Sequence, residues 1–403
     1  MSSAQPQSAG PSRLLIPALG LNQILSWGSS YYLLAVLAGP VAADTGWPLP
    51  WVVGSLSAGL LVAALVSPRV GHLIGLYGGR PVLAAAVTLI ATGLVLLALA
   101  PNLVVFIAAW LVLGAGMGAG LYDAAFSTLG RIYGSRARGA ITTLTLWGGF
   151  ASTVCWPISA YLVQTVGWRG ACLTYAAVHI GLSLPMLLVT IPREVARPAQ
   201  DKAQPKTGAL DPTERRSFLL LMSIMMLGGT TASMLSVHLL TLLQETGSSL
   251  AAAVSLGALV GPAQVGGRVV EMAFKQRHHP IWTLMAAIGC MALGVVLLWL
   301  GPPPVALALL VYGAGNGVYS IARGTLPLAL FGPARYPALV GRLARPSLIA
   351  SAIAPSVAAL VLSRVGVGAT FGAISVIAAL NVLLCILLWR QSRSARHSPQ
   401  IIV

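Results

Sequence analysis

The chain has 403 residues, of which 57% are hydrophobic and only 8% are charged. So few charged residues cannot cover the surface of a water-soluble protein of this length, which indicates a protein that folds in a lipid bilayer. The formal net charge is +16. Its basic residues are not interleaved with aromatic residues as nucleic-acid binding requires, so no nucleic-acid partner is expected.

Twelve apolar stretches fill almost the whole chain, and each is long enough to cross a membrane as a helix. We number these predicted helices 1 to 12. Their windows are 14–42, 50–74, 81–100, 102–130, 140–164, 170–191, 217–244, 250–272, 281–300, 304–331, 340–362 and 367–389. A membrane barrel would instead show alternating segments of about ten residues. The sequence therefore predicts an all-α membrane protein with 12 transmembrane helices.

The second set of six helices repeats features of the first set. Residues 27–46 align with residues 228–247, and the GAGMG segment at 114–118 matches GAGNG at 313–317. Internal repeats of this kind are typical of secondary transporters, in which the substrate binds near the bilayer midplane between the repeats. The repeat predicts two pseudo-symmetric six-helix halves.

The predicted division of the chain follows from composition. Residues 193–216 are rich in Pro, Ala, Gln and charge, so they read as a linker without a core of its own. We expect an N-terminal half at 1–192 and a C-terminal half at 217–403 that ends in a basic cytoplasmic tail. Asp211 and Glu214 at the end of the linker have the spacing of a capping box that starts helix 7.

The basic residues set the expected orientation. With a cytoplasmic N-terminus, 21 of the 24 Lys and Arg residues fall inside, Arg169 and Arg364 fall outside, and Arg323 lies within a span. This distribution follows the positive-inside rule and places both termini in the cytoplasm, with the basic surface facing membrane lipid. Asn22 and Gln23 in the first span suit a retained helix better than a cleaved signal peptide.

A motif lies between predicted helices 2 and 3, where GHLIGLYGGRP occupies 71–81. The two-half organisation, the central basic loop and this motif resemble the major facilitator superfamily. Gly71, Gly78 and Arg80 match the family's loop motif, whereas Gly75 stands where the family has Asp. In the second half, GRVVE at 267–271 keeps an acidic residue at the corresponding place.

Two further segments are similar to bacterial members of the monocarboxylate-transporter-like branch of that family. They are GWPLPWVVGSLSAGL at 46–60 and YDAAFSTLGRIYG at 122–134. This resemblance implies a multi-pass protein of the bacterial inner membrane, acting as a monomer, in which helices 1, 4, 7 and 10 line a central cavity. It also implies gate residues at the cytoplasmic loops, for which Arg80, Arg268 and Glu271 are the candidates.

Predicted helix 10 carries the strongest chemical pattern. Tyr312, Asn316, Tyr319 and Arg323 follow at spacings of four, three and four, which places them on one helical face. An arginine beside hydroxyl and amide groups is suited to bind a carboxylate. Asp123 lies at nearly the same depth on the repeat-equivalent helix 4. Two readings remain open: Arg323 binds an anionic substrate while Asp123 carries a proton, or the two form a gate or structural pair.

Other helices offer weaker candidates. Asn22, Ser26 and Trp27 on helix 1 are candidates to line the substrate pocket, although such residues also serve helix packing. His238 on helix 7 is a second proton-site candidate because an unperturbed histidine titrates near neutral pH. A packing role for it is the alternative.

The four cysteines lack metal-ligand spacing, and no nucleophile and base pattern stands out, so we expect neither an enzyme nor a cofactor or metal. The leading hypothesis is a secondary transporter of a small organic anion, of the monocarboxylate class, working by alternating access with proton symport. The alternative is an exporter of drug-like or amphipathic small molecules.

Overall fold

The computed structural model describes residues 14–193, 210–274, 277–301 and 305–397. Six helical spans, numbered α1 to α6, form the N-terminal half. Their bounds are Leu15–Gly28 with Leu34–Thr45 for α1, Leu49–Tyr77 for α2, Gly79–Ala98 for α3, Leu103–Gly120 with Tyr122–Tyr133 for α4, Ala137–Gly149 with 151–166 for α5, and 168–178 with the π-helical turn His179–Ser183 and Leu184–Thr190 for α6.

Six further spans, α7 to α12, form the C-terminal half. Their bounds are Pro212–Glu245 for α7, Leu250–Gly257 with Val260–Ala273 for α8, Pro280–Leu300 for α9, 305–331 for α10, 333–365 for α11 and Val367–His397 for α12. Each span overlaps the predicted window of the same number. Residues 194–209 of the predicted linker lie outside the described residues.

Two glycines lie where the chain reverses direction between consecutive spans, although the helical hydrogen bonding runs on past both. Gly167 between α5 and α6 and Gly332 between α10 and α11 both have a φ of 72° inside otherwise helical runs. Glycine adopts this left-handed region without the steric cost that a Cβ brings. Gly366 between α11 and α12 and Gly134 between α4 and α5, the repeat equivalents of Gly167 and Gly332, also have positive φ values, of 92° and 56°.

Within the described residues, seven helical stretches are long and apolar enough to cross a membrane. The longest runs over 88 residues from Leu103 to Thr190, and another over 61 residues from Val305 to Val365. Since a span needs about 20 residues, each of these runs contains more than one crossing.

The capping box predicted before helix 7 is confirmed. The side chain of Asp211 accepts hydrogen bonds from the backbone N–H groups of Thr213 and Glu214, and the Glu214 carboxylate accepts from the Asp211 N–H. Glu214 also forms an ion pair with Arg335 at the start of α11. These hydrogen bonds, that from Arg335 first, lower the pKa of Glu214 below its usual range.

All four ends of the two halves lie at one end of the bundle, because each half contains an even number of crossings. We call this the linker end and the opposite one the far end. A hydrophobic cluster near the linker end joins both halves, with Ile74 and Phe126 packed among Tyr336 and Val340. The far-end cluster around Trp110 draws its described members from the N-terminal half alone.

The backbones of α2 and α11 approach closely on the linker side of the bundle. A Cβ on Gly71 would overlap the carbonyl oxygen of Pro337, and a Cβ on Gly341 would overlap that of Ser67. Small residues at such crossings let helices in a membrane pack backbone to backbone. The halves are therefore closed against each other at the linker end.

Candidate functional site

Four spans lose regular helical geometry near their middle. The interruptions follow Gly28 in α1, Gly120 in α4, Gly149 in α5 and Gly257 in α8. An interruption leaves backbone N–H and C=O groups without partners inside the helix. At membrane depth, such groups are tolerated only where they face protein or a water-filled cavity. The breaks therefore place a polar centre in the middle of the bundle.

Gln23 of α1 hydrogen bonds to a backbone carbonyl group at one of these interruptions. Its Nε2 donates to the carbonyl oxygen of Gly120 at 2.8 Å, and its Oε1 accepts from Trp27 Nε1 at 3.1 Å. One buried amide thus fixes the end of the first α4 segment and the orientation of the indole ring.

Arg268 of α8 lies at this centre and is only 6% exposed. Its Nε donates to the Gly317 carbonyl oxygen and to Ser320 Oγ of α10, both at 3.2 Å. Its Nη1 is buried and has no hydrogen-bond partner among the described residues. Gly149 of α5 provides the space, because a Cβ there would overlap Nη1. The guanidinium is held between the halves with part of its donor capacity unused.

The expected distribution of basic residues has Arg268 on the cytoplasmic side and Arg323 as the only arginine within a span. That count is wrong, since Arg268 bonds to the middle of α10. The available signal was the adjacent pair Gly148 and Gly149 in helix 5, which leaves room for large side chains of neighbouring helices. Sequence spacing alone did not connect this pair to Arg268.

A row of aromatic rings crosses the same centre. Trp156 lies 6.0 Å from Tyr32, Tyr32 lies 5.9 Å from Trp27, and Trp27 lies 5.2 Å from Tyr122, measured between ring centroids. Tyr122 stacks on Phe126 with an interplanar angle of 10°. We call these five residues the aromatic row. Its first four members keep some exposure, whereas Phe126 is fully buried at the linker side.

The aromatic row and Arg268 meet at α5. A Cβ on Gly148 would overlap the hydroxyl of Tyr122, just as one on Gly149 would overlap the guanidinium. An open cleft of about 470 Å³ extends from the row towards the far end. It is lined by Ala35, Val36, Thr153, Trp156, Pro157 and Ala160.

Asp123 of α4 and Arg323 of α10 face each other across the two halves, as their equivalent positions predict. Arg323 Nη2 donates to Asp123 Oδ2 at 2.6 Å. The Asp123 side chain is 16% exposed and the Arg323 side chain is 21% exposed. Both lie on the linker side of the Arg268 centre, so this ion pair joins the two halves between that centre and the linker end.

A second contact between the halves lies nearer the linker end. Arg138, at the start of α5, is 3.7 Å from Glu271 of α8, which also accepts hydrogen bonds from Thr283 at 2.7 Å and from His278 at 3.2 Å. Glu271, expected at a gate, thus lies in a contact between the halves. Arg80 lies partly exposed in the first turn of α3.

Within the N-terminal half, a basic side chain binds the backbone at the place where the motif's aspartate is missing. Arg131 of α4 donates to the carbonyl oxygens of Ile74 and Gly75 at the end of α2. The last carbonyls of a helix attract cations because they lack helical partners and carry the negative end of the dipole. The carbonyl groups of Ile74 and Gly75 therefore bind the Arg131 guanidinium where Gly75 replaces the aspartate of the motif.

The residues predicted to share one face of helix 10 contact different neighbouring helices. Tyr319 is 5% exposed and donates from its hydroxyl to the Met225 carbonyl oxygen of α7 at 2.9 Å. Tyr312 is 3% exposed and packs against Gly294 of α9. Asn316 is partly exposed between them. These side chains do not converge on Arg323, although all four share one side of α10.

The candidates on helices 1 and 7 also have different surroundings. Asn22 and Ser26 are fully buried, and their side-chain polar atoms have no partner among the described residues. Trp27 belongs to the aromatic row. His238 Nε2 donates to the Pro355 carbonyl oxygen of α11 at 2.8 Å, within the C-terminal half. His238 therefore joins two helices of the same half.

Two polar contacts of α1 were not anticipated from sequence. Ser29, in the break of α1, hydrogen bonds at 2.7 Å with His179, the first residue of the π-helical turn in α6. At the far end, Asp44 accepts from Trp168 Nε1 at 2.9 Å and from Arg169. These hydrogen bonds, that from Trp168 first, lower the pKa of Asp44 below its usual range.

Within the described ranges, no group of three or more His, Cys, Asp or Glu side chains is placed to hold a metal ion. The four cysteines, which have no disulfide partner, are buried or half-buried. The chemistry of the centre therefore rests on guanidinium, carboxylate, hydroxyl and aromatic groups.

The chain is similar to human monocarboxylate transporter 11, with 28% identity over 357 residues that cover 80% of this chain and 72% of the relative. Mouse monocarboxylate transporter 11 shows 36% identity over 148 residues, which cover 35% of this chain and 30% of the relative. Among solved structures, the human organic anion transporter MFSD10 (TETRAN) superposes with a TM-score of 0.74 at 18% identity, covering 94% of this chain and all of that one.

A second transporter structure, FucP in the outward conformation, superposes with a TM-score of 0.71 at 14% identity over 93% of this chain and 98% of that one. These likenesses show a shared fold of twelve helices. The family description "Major Facilitator Superfamily" matches residues 19–341, most of the chain. The chain thus belongs to the major facilitator superfamily and is a multi-pass membrane transporter rather than an enzyme.

Proposed function

We propose that this transporter moves a small organic anion of the monocarboxylate class across the membrane by alternating access, coupled to protons. The observation that carries the proposal is the charge of the centre. Arg268 and Arg323 contribute two positive charges and Asp123 one negative charge, which leaves a net charge of +1. A buried charge without a partner is costly in a membrane protein, and an anionic substrate would compensate it.

Arg268 is the proposed carboxylate anchor. Its Nε already donates to α10, whereas Nη1 has no hydrogen-bond partner among the described residues. In the same part of the chain, no acidic side chain forms an ion pair with this guanidinium. A planar guanidinium can donate two parallel hydrogen bonds to a carboxylate. Arg323 remains the second candidate, but a substrate there would compete with Asp123.

The names of similar proteins support this substrate class. Two relatives are named monocarboxylate transporters, and one protein of similar fold is named an organic anion transporter. The E. coli protein FucP, which superposes with a TM-score of 0.68, is named a fucose:proton symporter.

Asp123 is the proposed proton site. Protonation would remove its charge, weaken the ion pair with Arg323 and allow the halves to separate at the linker end. His238 is the less favoured site, because its Nε2 is held by Pro355 within one half.

We further propose that the linker end faces the cytoplasm of a bacterial cell, with both termini inside, and that the protein acts as a monomer in the inner membrane. The basic residues support this orientation, because 20 of the 24 fall on the linker side once Arg268 and Arg323 are placed within spans and Arg169 and Arg364 at the far end. Reporter insertions near residues 45 and 166 should be reached from outside, and those near 205 and 395 from inside. An outward-facing insertion near 205 would overturn the orientation.

The exporter alternative has less support. Cavities that bind amphipathic cations need uncompensated acidic groups, and Asp123 is paired with Arg323. Accumulation of cationic dyes by inside-out vesicles would favour this alternative.

The test of the anchor is binding and uptake of small carboxylates by purified protein in vesicles. Arg268→Gln should reduce affinity by about ten- to a hundredfold, the range for losing a hydrogen bond to a charged group. Arg268→Lys should keep weak binding, since charge remains without the planar fork. Exposed Arg345→Gln is the matched control.

Arg323→Ala separates the two arginines. If Arg323 belongs to the gate, the variant binds carboxylates with unchanged affinity but transports them poorly. Unchanged affinity in folded Arg268→Gln, together with a loss in Arg323→Ala, would move the anchor to Arg323. Unchanged affinity in both would overturn the proposed anion site.

A further inference from the structure

The aromatic row lies beside the unused donors of Arg268. This arrangement indicates the chemical character of the part of the substrate that is attached to the carboxylate. The row is built from the N-terminal half, whereas Arg268 belongs to the C-terminal half. A substrate with its carboxylate on Arg268 would therefore contact the rings of Tyr32 and Tyr122 across the central cavity.

The polar atoms of the row are largely engaged by the protein itself. Trp27 Nε1 donates to Gln23, Tyr122 OH donates to the Thr145 carbonyl oxygen at 3.2 Å, and Trp156 Nε1 donates to the Tyr32 carbonyl oxygen at 3.2 Å. The bonds fix the rings in place and leave their faces and edges as the available surface. A rigid surface of this kind binds a ligand without a further loss of side-chain entropy.

Exposure supports a ligand rather than a packing role. Trp27, Tyr32 and Tyr122 remain partly exposed at the centre, and Trp156 is 44% exposed beside the 470 Å³ cleft. Phe126, the ring at the linker side of the row, is by contrast fully buried.

We infer that the substrate is an aromatic monocarboxylate, a single flat ring carrying one carboxylate, with its ring on the aromatic row and its carboxylate on Arg268. This inference rests on the proposed function and narrows it. Offset-stacked and edge-to-face ring contacts favour an aromatic ring over a saturated ring of similar area. The row thus selects for π-character in addition to apolar area.

The primary experiment compares benzoate with cyclohexanecarboxylate by calorimetry on the purified full-length wild type at pH 7.5. The two acids have similar size and the same charge, and they differ in aromaticity. We expect benzoate to bind about three- to tenfold more tightly, the range that ring contacts supply beyond area. Benzamide, which keeps the ring without the charge, should bind at least tenfold more weakly than benzoate.

The variant series localises the preference. Tyr32→Leu and Trp27→Leu should bring the benzoate to cyclohexanecarboxylate ratio close to one, while Tyr32→Phe should keep it. Tyr161→Leu, which changes an exposed ring of α5 outside the row, is the matched control and should leave the ratio unchanged. Because the readout is a ratio of two affinities, a partial loss of folded protein does not alter it.

Each outcome has a distinct meaning. Equal wild-type affinities for benzoate and cyclohexanecarboxylate, with both lost in Arg268→Gln, would overturn the aromatic inference and leave the carboxylate proposal standing. Absence of binding by benzoate, cyclohexanecarboxylate and propionate alike would overturn both. A wild-type preference that survives in Tyr32→Leu and Trp27→Leu would place the ring site elsewhere and overturn the assignment to this row.

Discussion

Neutralising Asp123 should open the transporter at the linker end. Asp123→Asn keeps the shape of the side chain but leaves Arg323 without its counter-charge in the closed state. Removing one partner of a buried ion pair costs about 3–5 kcal/mol. Because the two side chains keep 16% and 21% exposure, we expect the lower end of that range. About 3 kcal/mol corresponds to a shift of more than a hundredfold in the closed-to-open ratio.

Two single-cysteine reporters in a background without the four native cysteines would measure this shift. Ser127, one turn from Asp123 towards the linker end, is 1% exposed in the closed state. Ser127→Cys should become reactive to an impermeant maleimide in Asp123→Asn. Thr153→Cys, in the cleft at the far side, should become less reactive in the same variant, because opening one end closes the other.

The double variant Asp123→Asn with Arg323→Gln is the control, because it removes both charges and should recover part of the closed population. Asp123→Asn should also retain substrate exchange but lose proton-driven accumulation between pH 5.5 and 8, a range that includes the reference pKa of histidine. Wild-type reactivity at both reporters in Asp123→Asn would refute the view that this ion pair holds the linker end closed.

Three further changes have defined outcomes. Gly71→Ala should slow transport at least tenfold by blocking closure against α11, whereas Gly75→Ala, where a Cβ meets open space, should not; uptake rates decide between them. His179→Leu should lower stability by about 1–3 kcal/mol, seen as a fall in Tm, because its hydrogen-bond partner in α1 stays buried. The pKa of Asp44 is lowered in the folded state, so its contribution to stability is present above the ordinary aspartate pKa and is lost as the pH falls through the lowered value. Arg169→Ala should therefore reduce Tm near neutral pH and match the wild type in acid, as melting curves across pH would show.

The fold was predictable from sequence where local chemistry decides the structure. The apolar windows matched the spans, and Asp211 with Glu214 formed the expected capping box because a cap depends only on residues three positions apart. Asp123 and Arg323 met because the repeat fixed equivalent depths in the two halves. In each case the sequence itself contains the spacing that determines the contact.

The site was less predictable because it depends on contacts between distant helices. The burial of Arg268 follows from the rotation of α8 and from room at Gly149 on another span. Tyr319 shares a face with Arg323 in sequence, yet its hydroxyl reaches Met225 of α7. The contacts of side chains as long as arginine and tyrosine depend on how neighbouring helices pack. Helical periodicity in the sequence does not specify that packing.

The mid-span interruptions of α1, α4, α5 and α8 have a mechanical consequence. A continuous helix transmits a tilt along its whole length, so closing one end would move the other end by a similar amount. A span made of two stiff segments with a joint can bend at the joint instead. The far segments, such as Leu34–Thr45 of α1, can therefore swing over a bound substrate while the segments beyond the joint stay packed. Such bending gives the transporter an intermediate that is shut at both ends, in which the substrate is enclosed before either side is released.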